Sequence, residues 1–145
     1  MRLSGAVGVA SVMAKVTDSG FAKRMRRMAS PAAASLTDQA LYAAGDLIKT
    51  EMQILIVQGS ISGAGHVVSN PGDPPNADSR DLDSKMQVVR KGRGRVDAEA
   101  YSDHAVPLQW GTSRMEARPF ADVAARNKKD EAVDLIKRAV AKSTK

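Results

Sequence analysis

Only two side chains in the sequence, His66 and His104, titrate near neutral pH without a large environmental shift. A general base or a metal ligand needs neighbours: an orienting carboxylate, or further ligands at helix or loop spacing. No histidine or cysteine pattern at ligand spacing surrounds either histidine, and a surface or packing role accounts for both. The absence of cysteine removes thiol nucleophiles, disulfides and cysteine-held metals.

Carboxylates cluster once, at Asp73, Asp78, Asp81 and Asp83. Hard cations favour such groups, but the D-x-D-x-D-G order closing on a glutamate at position twelve is absent, so no calcium loop is read. An acidic loop facing water or a basic partner is the better reading. The complementary feature follows directly: Lys85, Arg90, Lys91, Arg93 and Arg95 place five cations and no anion in residues 85–95. The Lys91-Gly92-Arg93-Gly94-Arg95 run lacks the G-x-x-x-x-G-K-[ST] spacing of a phosphate-binding loop. It has no aromatic residue on which a base could stack. A hairpin tip reaching a partner is expected, with no cofactor and no metal.

These residues need elements to hold them, and 145 residues suffice for one domain, residues 1–145. The formal charge of +6 favours acidic surfaces without naming one. Of the apolar residues 23 are alanine and only five are aromatic, so burial yields little per residue and self-association is expected to help. No apolar stretch approaches the roughly 20 residues of a bilayer span. Arg2 followed by Leu3–Val16 imitates a secretory signal weakly, because Ser4, Gly5, Gly8 and Ser11 dilute it.

Periodicity predicts a short basic helix over Asp18–Met28, with Phe21, Met25 and Met28 as its core stripe, within a flexible arm of residues 1–30. A long helix follows from about Ala33 to Gln58, capped by Ser35 or Thr37 and ended by Gly59, Gly63 and Gly65. Residues 60–80 are a long loop, since Pro71, Pro74 and Pro75 remove donors and fix φ. Strands are expected at Leu82–Arg90 and Arg95–Tyr101 around the basic turn, with another at Ala105–Trp110. Pro119 opens a closing helix with an alanine-rich stripe. The class is α+β: a long helix and a C-terminal helix on a small, mainly antiparallel sheet.

Two stretches carry a resemblance. His66-Val67-Val68-Ser69-Asn70-Pro71-Gly72-Asp73-Pro74-Pro75-Asn76-Ala77-Asp78-Ser79-Arg80-Asp81-Leu82 and His104-Ala105-Val106-Pro107-Leu108-Gln109-Trp110-Gly111-Thr112-Ser113-Arg114-Met115-Glu116-Ala117-Arg118-Pro119-Phe120 resemble the gene-product-ten neck, or tail-component, family of HK-type long-tailed bacteriophages. That family has a Ser-x-Pro-Gly-x-Pro-Pro loop before Asp-Thr-Gly-x-Leu, and Val-Glu-Phe-Gly-Thr before Ala-Arg-Pro-Phe. Departures are Ser79-Arg80 for Thr-Gly, His104 for Tyr, and Gln109-Trp110 for Glu-Phe. Trp110 and Phe120 are read as core anchors, Gly111 as the exit from a strand, and Thr112 and Arg118 as motif residues of the same segment.

The resemblance implies a virion structural protein, without catalytic residues, that forms a ring at the head–tail junction. Its partners would be itself, the neighbouring connector or head-completion protein, and tail-tube or tail-terminator proteins. Genomic DNA would pass through the ring without being read, no membrane is involved, and assembly would occur in the host cytoplasm. Asp73, Asp78 and Asp81 on the loop, and Arg90, Lys91, Arg93 and Arg95 on the hairpin, are the expected interface. A tail terminator is the neighbouring alternative, and a small basic nucleic-acid-binding module the alternative from another class.

Overall fold

A computed structural model describes residues 20–58, 60–61 and 63–145, with only the backbone of Phe21 and Ala22. The signal-like start, most of the expected arm and Gly59 lie outside the described residues. Helix α1 spans Gly20–Met28. Ala29 and Ser30 form the whole connection to α2, Pro31–Val57. Ser30, not Ser35 or Thr37, is the cap: its hydroxyl accepts the Ala33 N–H at 3.2 Å, and Pro31 fills the first turn, where no N–H is needed. Gln58 closes α2 in extended conformation.

The loop follows, interrupted by one 3₁₀ turn at Gly63–Gly65. Asp81–Ser84 forms a single turn, α3, in place of the first part of the expected strand, and the strand β1 begins at Met86 and runs to Arg90. β2, Val96–Ala100, pairs with it antiparallel, from Met86 opposite Ala100 to Arg90 opposite Val96. The expected hairpin is present. The expected third strand is instead a short helix, α4, Ala105–Trp110, and α5 spans Ala121–Ser143. Pro107 fits α4 because it sits in the first turn, where its missing N–H has no carbonyl to meet. Pro119 precedes rather than opens α5, whose cap position is Phe120.

The long helix α2 packs along α5 and lays one face on the hairpin. Alternation along the strands explains why it adheres. Val88 and Val96 reach Gly45 of α2 so closely that a Cβ there would lie 2.9 Å from both valine methyls. Met86, Ala98 and Ala100 join the core on that face, and the guanidinium of Arg90 lies 5.3 Å from the Tyr42 ring centre. Gln87, Lys91, Asp97 and Glu99 occupy the opposite face and pair with charged or polar neighbours there.

The core is small. Phe120, Met52 and Ile56 are its largest fully buried side chains, and six of the eleven buried apolar residues among those described are alanine. Phe120 is 1 % exposed, as its reading as an anchor requires. Trp110 corrects the companion reading: on a helix rather than an alternating strand it points outward and is 70 % exposed. Met25 and Met28 are 49 % and 42 % exposed, so the methionine stripe of α1 is not core within one chain.

Candidate functional site

The two stretches that carry the resemblance lie 22 or more residues apart in sequence, and the fold joins them at the C-terminal end of α2. Gly72 donates its N–H to the Ala117 carbonyl at 2.9 Å, and Arg118 donates from Nε to the Ser69 carbonyl at 3.2 Å. Arg118 also donates its backbone N–H to Leu108 at 2.7 Å, tying the segment back to α4. Ala77 donates to the Ile56 carbonyl at 2.9 Å, fixing the loop on α2. Pro75 and Ala77 are buried, whereas Pro71, Asp73 and Asp78 are exposed. The loop is therefore anchored by its middle while its acidic residues face outward.

A cavity of about 270 Å³ opens between this loop and α4, and both histidines line it. Its floor is apolar, with Ile56, Leu82 and Leu108, and Arg118 and Asp81 stand in its wall. His66 contacts the Ile61 carbonyl through Nδ1 at 3.1 Å. Among the described residues no group of three or more histidines and carboxylates is placed to hold a metal ion, and no helix is long and apolar enough to cross a membrane.

Arg80 and Gly111 set the turns at this end. Arg80 has a left-handed backbone, φ +63°, the conformation that glycine adopts without a Cβ penalty. Its Nε meets Asp83 Oδ2 at 2.8 Å, compensating a carboxylate that is buried and whose Oδ1 has no partner among the described residues. Gly111 follows α4 at φ +76°, and a Cβ on it would lie 2.9 Å from the Ala117 nitrogen and the Met115 oxygen. It lets the chain leave a helix rather than a strand. Thr112 then bridges back to Met115.

The charged groups are less available than their spacing implies. Asp81 binds Lys85 at 2.6 Å and accepts the Ser102 hydroxyl at 2.5 Å. The Lys85 bond, then the Ser102 bond, hold the Asp81 carboxyl below the usual aspartate range, and Asp81 in turn raises Lys85. Lys91 pairs with Glu99 at 2.7 Å, and Arg95 forms a two-pronged pair with Asp97 at 3.0 and 2.9 Å. Both carboxylates are pulled below their usual range, Glu99 chiefly by the Lys91 bond and Asp97 chiefly by the Arg95 bond. With Arg90 over Tyr42, Arg93 is the one cation of residues 85–95 with no ion pair, hydrogen bond or ring contact among the described residues.

Loop and hairpin tip do not meet within one chain. Arg93 and Gly94 lie beside Ala34, Asp38 and Val140, at the N-terminal end of α2, while the loop sits on Ile56. At 1.5 Å per residue, the helix between Ala34 and Ile56 separates them by roughly 33 Å. Sequence reasoning misses Gln109 in its actual role: its side-chain carbonyl accepts the backbone N–H groups of Phe120 and Ala121, capping α5 from another element. A buried glutamine twelve residues before a helix leaves no local signal of this kind. No protein-family model, curated protein or solved structure matches the chain.

Proposed function

We propose that this chain is a structural subunit of a ring at the head–tail junction of a tailed phage or phage-like particle. It is not an enzyme in this reading, and its work is done by surfaces between subunits. The observation that carries the proposal is the backbone of Arg80. Where the resemblance calls for glycine, this sequence has arginine, yet the chain keeps φ at +63°, the turn that glycine would make. The departure from the family pattern thus falls where the backbone is of the kind that glycine favours, which supports the reading.

Two further features support an assembly role. A closed ring needs heterologous contacts, one patch meeting a different patch on the neighbour. Here the acidic loop and the basic tip occupy opposite ends of a long helix. The small alanine-rich core and the exposed Trp110 and Val106 favour a chain that gains burial by association.

The test is the mass of the purified protein in solution at moderate and high salt, with imaging of any oligomer. A discrete ring, or a monomer that becomes a ring on a tail or connector partner, supports the reading. A salt-insensitive monomer that binds DNA strongly and never enters a particle overturns it in favour of the nucleic-acid module.

A further inference from the structure

Helix α1 carries Lys23, Arg24, Arg26 and Arg27 and no acidic residue, together with the exposed Met25 and Met28. Its own chain holds it along one edge: Arg27 donates to the Lys145 carbonyl, and Met28 borders Ala34 and Val140. An apolar stripe on a basic helix, half exposed, is a surface with part of its burial missing.

The other end of the molecule has the complementary surface. Leu55, Val67, Val68 and Pro74 line a groove of about 380 Å³ with Asp73 at its edge. Val67 and Val68 are 59 % and 60 % exposed. Asp73 and Asp78 have no cationic partner among the described residues, unlike Asp81 and Asp83. This end therefore presents apolar area beside unneutralised negative charge.

We infer that α1 of one subunit docks in the Leu55–Val68–Pro74 groove of a second copy, with Met25 and Met28 inward and Arg24, which flanks them on the helix, toward Asp73 at the groove's edge. The assignment rests on the ring reading and specifies one of its interfaces. Charge complementarity selects the site, and connectivity selects a second copy. The two-residue link of Ala29 and Ser30 fixes α1 at the N-terminal end of α2, and Leu55 lies roughly 36 Å away along that helix at 1.5 Å per residue. A nine-residue helix, about 14 Å long, does not span that distance within its own chain.

The chain has no cysteine, so single cysteines report contacts without background. Full-length Met25→Cys and Val68→Cys chains, both altered at exposed positions, are co-expressed and mildly oxidised. The expected product is a species of doubled mass joining one of each, far exceeding the product from either variant alone and falling as salt rises. Equal joining of Met25→Cys to Val106→Cys, or joining only of Met25→Cys to itself, overturns the assigned groove. No cross-link in a sample where the native chain forms rings overturns this inference and leaves the ring reading standing. A native chain that remains monomeric under all conditions overturns both. Binding of the native chain to phosphatidylglycerol vesicles without any cross-link overturns it in favour of a membrane-surface helix.

Discussion

The side-chain carbonyl of Gln109 stands 3.1 Å from the Phe120 nitrogen and 3.0 Å from the Ala121 nitrogen, so one buried amide satisfies two donors at the start of α5. Four N–H groups at a helix start lack intrahelical partners, and here the cap residue itself, Phe120, supplies no side-chain acceptor. Gln109→Ala strands both donors next to the most buried aromatic ring. The expected loss is about 2 kcal/mol in unfolding free energy by urea titration. Gln109→Glu keeps an acceptor at the positive end of the helix and removes the Nε2 donor, which has no partner among the described residues. It should retain more stability than the alanine variant at neutral pH.

Arg80 combines a backbone cost with a side-chain benefit, and two substitutions separate them. Arg80→Ala removes the cation from buried Asp83 and leaves a Cβ in the left-handed region. Arg80→Gly removes the same cation but relieves the backbone. The glycine variant should therefore be more stable than the alanine variant by about 1 kcal/mol. Thermal unfolding of the pair measures this. Equal midpoints would show that the turn at Arg80 is not left-handed, and would weaken the proposed relation to the phage neck family.

The helices and hairpin are legible in the sequence because their signals are local and repeated. Leu41 to Leu55 keep helical spacing for several turns, and Gly92 and Gly94 both take positive φ in the turn between the strands. The segment Ala105–Trp110 reads as a strand because six residues hold fewer than two helical turns, and apolar Val106, Leu108 and Trp110 alternate as a strand would. What decides its helical state is distant: Ser102 bonds Asp81, Gln109 caps α5, and Arg118 donates to Leu108. The same distance effect hides the charge state of the hairpin. Five cations in eleven residues read as a patch, but Asp97, two residues beyond Arg95 on the same face of the extended chain, answers Arg95, and Glu99 reaches Lys91 only when the hairpin closes.

Acid should weaken the fold at the junction of α3 and α4. Asp81 is lowered in the folded state by Lys85 and then Ser102, from an ordinary aspartate value of 3.8. A depressed carboxyl contributes its full stabilisation above the unfolded value and loses it as pH falls through the lower folded value. Stability plotted against pH should thus fall below about pH 4. In Asp81→Asn that part of the slope should shrink, leaving the share due to Asp97 and Glu99, which are lowered as well. An unchanged acid limb would mean that the Lys85 and Ser102 bonds do not persist in solution.

Arg93 and Arg95 stand two residues apart at the hairpin tip and should respond differently to charge reversal. Arg95 is committed to Asp97 through two bonds, so Arg95→Glu sets two anions against each other and acts first on the hairpin itself. Its cost should appear in hydrogen exchange of residues 86–100 before it appears in assembly. Arg93 has no ion pair or hydrogen bond among the described residues and stands beside Gly94, so Arg93→Glu should leave unfolding almost unchanged. If the tip meets an acidic surface in the assembled ring, this variant should lose ring formation or head–tail joining, with the loss greatest at low salt, where charge is least screened. Sedimentation of both variants at two salt concentrations separates the outcomes. Normal rings from Arg93→Glu would remove the hairpin tip from the interface and leave the contacts to the loop, α1 and the exposed face of α4.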